Sequence, residues 1–418
     1  MEIIPEVLEM GRRARQAARV AAAACGGMRS KALALMPQKL HDAAERLYAA
    51  NGEDMAVAEA AGTDSAKLAR LRISPKVFDY MCDRLVEVAA LPDPVGRVIE
   101  GHVRPNGLYV SKVSVPLGVI GIIYESRPNV TTDAAAVCLK SGNAVILRGG
   151  SESRRTNRVL ADAMAEAVVE AGLPADLVQL IDSPGHEGAA SLMRLTGYVD
   201  LIIPRGGKSL IKAVAEQSLI PTLKHYEGVC HLYLAADAPF EMALEVALNS
   251  KCQRVEVCNA LEKLLVDAAS AERLLPALAE AFSAAGVTLR GCERVREILP
   301  DVAVATEEDW QAEYLGPILA VRVVDSVEAA IDHINSHGSG HTDGVVTESL
   351  AVADRFAGAV DSASVMINAS TRLSGGGDYG MGAVVGISTD RIHARGPVGP
   401  AELTTTKWIA RGQGHLRN

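Results

Sequence analysis

One cysteine, Cys258, sits in the run QRVEVCNALEKLLVD (253–267), between a polar, charged stretch and an apolar stretch that reads as a strand entering a core. An exposed, activated thiolate there would attack an acyl carbon, whereas a thiol sunk in the core is a small inert group, and free cysteine is more often the second. Residue type alone leaves both readings open. The densest set of metal-type side chains is His225, Cys230 and His231, with Cys252 and Cys258 downstream. No C-x-x-C pair and no H-E-x-x-H accompanies them, so no metal site is predicted. GGKS at 206–209 has the look of a phosphate loop, but that motif needs a glycine where Ile202 stands, which excludes a kinase-type P-loop. Within 118–207 the G-x-G-x-x-G dinucleotide fingerprint is absent too. What remains is a glycine turn after DLIIP that leads into a helix, whose free N–H groups favour an anion.

These residues need elements to position them. The first hundred residues are helical in pattern: Val7, Met10, Ala14, Ala17 and Ala21 recur at helical spacing while Arg12, Arg13, Arg15 and Arg19 take other faces. After Pro92 and Pro94 the pattern changes, and GLYVSKVSVPLGVIGIIYE (107–125) alternates and then becomes continuously apolar, as a strand pair feeding a buried strand would. From there the spacing predicts helix 131–140, strand 144–150, helix 155–171, strand 177–182 and strand 199–207. A second block, near 229–365, repeats this grammar. Strands alternating with such helices predict mostly parallel sheets covered on both faces, with ligands at strand C-terminal ends.

At 418 residues the chain exceeds what one core usually supports, so two or more domains are expected. With 49% hydrophobic and 22% charged residues it is globular in composition, and a net charge of -9 gives no electrostatic reason for a nucleic-acid partner. No apolar stretch approaches a membrane span and no signal-peptide region is evident, which predicts a cytoplasmic protein without membrane association. Seven scattered cysteines argue against a disulfide framework.

Several segments, in this order and at these separations, resemble the aldehyde dehydrogenase superfamily. GVIGIIYESRPNVTTDAAAVCLKSGNAVILRGGSES (118–153) is similar to the stretch running from the oxyanion-hole asparagine to the cofactor-ribose strand. VCNALEKLLV (257–266), EYLGPIL (313–319), INASTR (367–372) and GISTDRIHARGPVGPAELTTTKW (386–408) resemble its gamma-glutamyl phosphate reductase branch. The likeness runs from about residue 100 to the C-terminus. It implies an α/β, aldehyde dehydrogenase-like fold: two parallel-sheet α/β domains plus a small oligomerisation element. The expected division is 1–99 and 116–228 for the cofactor domain, with 366–395 returning to it, 229–365 for the catalytic domain, and 100–115 with 396–418 for oligomerisation, as a homodimer or homotetramer.

Carried over by position, the resemblance makes Cys258 the nucleophile and Asn129 a donor to the oxyanion, beside the backbone N–H of Cys258. For the cofactor, Arg148, Gly149, Gly150 and Ser151 stand where NAD-using relatives read Lys-Pro-Ser-Glu. The missing carboxylate removes repulsion against a 2′-phosphate, and Arg148 supplies positive charge and a bidentate donor, so NADP(H) is expected, although Glu152 lies next door. Pro204, Arg205, Gly206, Gly207 and Ser209 match the turn under the pyrophosphate, and Glu313 with Leu315 the pair at the nicotinamide end. Arg127, Arg254 and Arg372, with Asn368 and Ser370, are candidate anion contacts for substrate.

Hydrolytic relatives use a glutamate upstream of the cysteine to activate water; Glu227, in KHYEGVCHLY (224–233), does not align with it. That departure fits an acyl phosphate, whose phosphate leaves without activated water. The implied reaction is NADPH-dependent reduction of L-glutamyl 5-phosphate to L-glutamate 5-semialdehyde, in proline biosynthesis, with a separate glutamate 5-kinase supplying the substrate and a possible transient partner. The alternative is a related acyl reductase with another donor, such as a coenzyme A thioester.

Overall fold

The computed structural model describes residues 3–417 except 126, 184 and 225, with the side chain of residue 66 also left aside. The chain forms two compact units, one of Met1–Lys224, Gly380–Gly386 and Val398–Asn418, the other of His225–Tyr379 and Ile387–Pro397.

Among the described residues of the first unit five helices precede any strand, from Pro5–Ala23 to Pro75–Ala90. Val7, Met10, Ala14, Ala17 and Ala21 form the buried face of Pro5–Ala23, as the spacing predicts, and Arg15 turns back to pair with Asp200 at 2.8 Å. Two strands, β1 (Val98–Val103) and β2 (Tyr109–Pro116), then lead into β3 (Val119–Tyr124), β4 (Ala144–Arg148), β5 (Val178–Leu180) and β6 (Leu201–Arg205). The last four make a parallel sheet in the order β5-β4-β3-β6. β3 and β4 are buried at every position, which is why their sequences are unbroken apolar runs rather than alternating ones. Helices Asn129–Lys140 and Arg154–Glu170 connect these strands.

In the second unit β7 (Cys230–Leu234), β8 (Leu261–Asp267), β9 (Thr288–Gly291), β10 (Ala303–Val304), β11 (Ile318–Val324), β12 (Thr342–Val346) and β13 (Ser364–Ile367) form a parallel sheet ordered β10-β9-β11-β8-β7-β12-β13. Central β7 and β8 are again wholly buried. A two-residue pair, β14 (Ile387–Ser388) with β15 (Gly396–Pro397), completes it. The chain ends by returning to the first unit as β16 (Thr404–Arg411), which pairs antiparallel with β2 to give the three-stranded sheet β1-β2-β16.

The units divide the chain differently from the sequence expectation in two places. From the segments 100–115 and 396–418, β1, β2 and β16 make one sheet within the first unit, while Gly396–Pro397 lies in the second. Of 366–395, only Gly380–Gly386 joins that unit, because Ser364–Ile367 continues the large sheet and Ile387–Pro397 packs with it. Among the described residues no helix is long and apolar enough to cross a membrane, and all seven cysteines are free thiols.

Candidate active site

Within the first unit, β4 stops at Gly149. A side chain there would put its Cβ 2.1 Å from Asn157 Nδ2 and 3.0 Å from the Tyr124 ring, so it would have to push the buried Asn157 amide aside. Beyond it opens a cavity of about 560 Å³, lined by Arg148, Gly149, Gly150 and Ser151 and by Arg154, Arg155 and Arg158 from the following helix. Ser183 also lines it, with a buried Oγ that has no hydrogen-bond partner among the described residues. Cationic walls and an unsatisfied hydroxyl fit the phosphorylated adenosine end of a nicotinamide cofactor. Arg148 is a lining residue with partners of its own. Its guanidinium is buried and donates to the carbonyls of Gly149 and Gly185. Arg154, held at 2.5 Å by Asp182, and Arg155, beside Glu53 at 3.0 Å, are the exposed cations on that wall.

β6 carries Pro204 and ends at Arg205, followed by exposed Gly206 and Gly207 and the helix Lys208–Gln217 with exposed Ser209. The Gly207 N–H already has an anionic acceptor, Glu125 Oε2 at 2.8 Å. An anion-favouring turn therefore exists where the glycines predicted it, and Glu125 holds it in this structure.

Asn129 opens the helix Asn129–Lys140, one residue after Pro128, and Arg127 lies exposed in the preceding loop. The Asn129 amide donates to Asp133 Oδ2 at 3.1 Å, while Asp133 Oδ1 is covered and has no partner among the described residues. Burial lifts the Asp133 carboxyl to about 6, against the downward pull of the Asn129 amide, Arg205 and Arg84. Its stabilising, protonated form is complete below the unfolded carboxyl's pKa near 4 and is lost as pH rises through 6. Asp133→Asn, which keeps an oxygen for Asn129, should therefore gain up to about 3 kcal/mol over the wild type at pH 7.5 and almost nothing at pH 4. Urea unfolding at the two pH values checks this, and an equal gain at both would refute it.

Within the second unit, helix Phe240–Cys252 and β8 are joined by the loop 253–260, which carries Cys258. Cys258 is half-buried, unlike Cys138 and Cys230, which are wholly buried and whose thiols burial pushes far up. The loop is fixed from below. Cys230 Sγ lies 3.2 Å from the Cys258 carbonyl, and Gly228 is packed so close that a Cβ would come within 1.8 Å of the same oxygen. From the side, Arg372 reaches Gln253 Oε1 at 2.9 Å and Asn259 Oδ1, next to Cys258; burial lowers its guanidinium, against the upward pull of Cys258. The structure thus brings Arg372 to the cysteine, and a fixed cation beside a thiol favours its reactive form.

The other candidates are used differently. Arg254 is exposed and pairs with Glu256 at 3.1 Å. Asn368, at φ 52°, accepts from the Thr347 N–H and donates to the Thr347 carbonyl, bracing the end of β12. Buried Ser370 caps the turn that holds Arg372, accepting from the Arg372 N–H at 3.2 Å. Glu313 accepts from the Gly228 N–H at 2.9 Å, and Leu315, at φ 50°, leaves its apolar side chain exposed. His231, part of the metal-type cluster, is instead buried against Asp343 at 2.9 Å; His225 lies outside the described residues. Among the described residues no group of three histidine, cysteine or acidic side chains is placed to hold a metal ion.

Sequence reasoning passes over Gly228 and Asp133, and over the buried pair Lys251 and Glu262, whose Nζ and Oε2 lie 3.1 Å apart behind the Cys258 loop. The one signal available was Glu262–Lys263 standing inside an otherwise apolar strand, where charges need a purpose.

Over residues 6–290 and 298–381 the chain matches the aldehyde dehydrogenase family. It belongs to that family. Among solved structures it is similar to a gamma-glutamyl phosphate reductase from Thermotoga maritima, at 41% identity over 99% of this chain and 100% of that one, with a TM-score of 0.96. A gamma-glutamyl phosphate reductase from Saccharomyces cerevisiae is 30% identical over the full length of both chains, with a TM-score of 0.55. An acetylating aldehyde dehydrogenase from Geobacillus thermoglucosidasius shares the fold, at 20% identity over 99% of this chain and 98% of that one and a TM-score of 0.68. This aldehyde dehydrogenase family member is an oxidoreductase, and its family uses nicotinamide cofactors.

Proposed function

We propose that the chain reduces L-glutamyl 5-phosphate to L-glutamate 5-semialdehyde and phosphate, with NADPH as reductant, as the second step of proline biosynthesis. The observation that carries the substrate assignment is the full-length likeness, at 41% identity, to the Thermotoga reductase. The setting of Cys258, half-exposed on a braced loop beside a fixed guanidinium, supports the chemistry.

In this reading Cys258 thiolate attacks the γ-carbonyl carbon, the C–O bond to phosphate breaks, and phosphate departs with the bonding electrons. Arg372 favours the thiolate and attracts the anionic acyl phosphate; Arg254 and Arg127 are further anion contacts. Asn129 takes the oxyanion-donor role that the family motif gives it, together with the Cys258 N–H. Glu313 and Leu315 orient the nicotinamide end, Gly149 to Ser151 with Arg154 and Arg155 take the adenosine phosphates, and the turn 204–209 takes the pyrophosphate once Glu125 yields its N–H. When bound, the reduced cofactor supplies a hydride to the thioester carbonyl. Collapse of the resulting hemithioacetal frees the aldehyde and returns the thiolate. NADPH is preferred over NADH because the wall beside β4 is cationic.

Acyl phosphates of glutamate are short-lived, so a kinase must supply the substrate and the assay is best run backward. Glutamate 5-semialdehyde, NADP+ and inorganic phosphate should yield NADPH, faster than NADH from NAD+. Turnover that ignores phosphate would indicate hydrolysis, and turnover that needs coenzyme A instead would indicate a thioester donor; either overturns the assignment. We also propose a homodimer or homotetramer built on the β1-β2-β16 sheet, whose outer strands expose Val98, Val103 and Trp408. A monomer in sedimentation would overturn it.

A further inference from the structure

The loop 253–260 that carries Cys258 is closed at its base by two charged residues with almost no solvent exposure. Lys251, in the last turn of Phe240–Cys252, donates from Nζ to Glu262 Oε2 at 3.1 Å, and Glu262 is the second residue of β8. The other carboxylate oxygen, Oε1, accepts from the Leu315 N–H at 3.2 Å. One carboxylate therefore ties both arms of the cysteine loop to the segment 312–315.

That segment is held at every residue. Ala312 receives a 2.6 Å hydrogen bond on its carbonyl from Lys263 Nζ, Glu313 takes the Gly228 N–H, and the Tyr314 hydroxyl donates to Asp309 at 2.6 Å while Lys263 Nζ sits 4.3 Å over its ring. Leu315 adopts a left-handed backbone that a leucine rarely takes, with 45% of its surface exposed. Such strain persists only where surroundings over-determine it, and Glu262 is what grips its N–H. Burial works against each charge, raising the Glu262 carboxyl and lowering Lys251 and Lys263, the last to about 8. A buried ion pair is poor value as a stability device, since apolar residues of like volume often serve as well. Its position makes sense as a fastening.

We propose that Lys251 and Glu262 are positioning residues, which set the Cys258 loop in register with Glu313 and Leu315 so that nucleophile and cofactor-facing segment are held at one distance. The proposal rests on the roles given above to Cys258, Glu313 and Leu315.

Two double variants separate positioning from stability. K251M/E262Q removes both charges and keeps an oxygen for the Leu315 N–H; K251M/E262M removes that oxygen as well. At similar Tm, the methionine form should show kcat/KM for NADP+ lower by about tenfold or more than the glutamine form, since misplacement near 1 Å can cost ~100-fold. Its Cys258 alkylation rate, followed by mass spectrometry of the labelled peptide, should also differ at least threefold. Equal kinetics and equal labelling in the two would overturn the proposal and leave a structural ion pair. Should the methionine form not fold, Glu262→Asp, which keeps the charge but shortens the reach to Leu315, gives the same comparison with wild type. If the wild type itself shows no phosphate-dependent turnover, the proposed function falls, while the labelling comparison still decides this inference.

Discussion

Cys258→Ala should abolish phosphate-dependent NADPH formation, by on the order of 10⁴-fold or more, because in the proposed cycle Cys258 carries the acyl chain between phosphate loss and reduction. Cys252→Ala, six residues earlier, should keep wild-type rates. The contrast follows from environment. Cys252 ends a helix and burial raises its thiol, and Cys230 is sealed beneath the loop with its sulfur against the Cys258 carbonyl. Cys258 is half-exposed and has Arg372 at hand. Stability should barely move, since replacing a partly exposed thiol by a methyl opens no core cavity and such changes stay within about 0.5 kcal/mol. Phosphate-dependent turnover measured for both variants, with thermal unfolding alongside, checks the pair of results. Activity above about a hundredth of wild type in Cys258→Ala would sink the nucleophile assignment, given the size of effect such groups show.

How far the sequence alone reaches can be argued from particular residues. The parallel sheets were legible because strands buried on both faces leave unbroken apolar runs, as in VIGIIY of β3 and AVIL of β4. The helix Pro5–Ala23 was legible because its alanines and arginines separate at a 3.6 period. The glycine turn at 206–207 was legible because its consequence, free N–H groups at a helix start, is local. The partners of Arg148 were not legible, for the opposite reason. A guanidinium in a sequence is a charge in search of a phosphate, and only the fold shows that the carbonyls of Gly149 and Gly185 take it. Lys251 and Glu262 stand eleven residues apart across a loop, and neither helix nor strand periodicity pairs residues at that separation. The same limit applies to the division of the chain, where strand pairing across hundreds of residues draws β16 back to β2.

Gly228→Ala should be the most damaging change that touches no reacting atom. Its Cβ would stand 1.8 Å from the Cys258 carbonyl oxygen, 2.6 Å from the carbonyl carbon and 2.9 Å from Cα. All three are backbone, so no side chain can rotate away, and the loop must move by an ångström or more. Gly228 also sits between two parts of the site, since its own N–H holds Glu313 Oε1 at 2.9 Å. Displacing it shifts Cys258 and Glu313, the proposed nucleophile and the proposed cofactor-facing carboxylate, together. A kcat/KM loss of roughly 10²- to 10³-fold is expected from such misplacement, with a stability cost of about 1–3 kcal/mol for the overpacking. Gly358→Ala is the matched control: it lies in the helix Leu350–Ala359 with nothing within 4 Å of the added carbon. There alanine should stabilise by up to about 1 kcal/mol through helix propensity and leave turnover alone. Steady-state kinetics and urea unfolding of both variants test the difference. Wild-type turnover in Gly228→Ala would mean that the Cys258 loop yields without consequence, and the tight approach of glycine to carbonyl would then be packing without a role in catalysis.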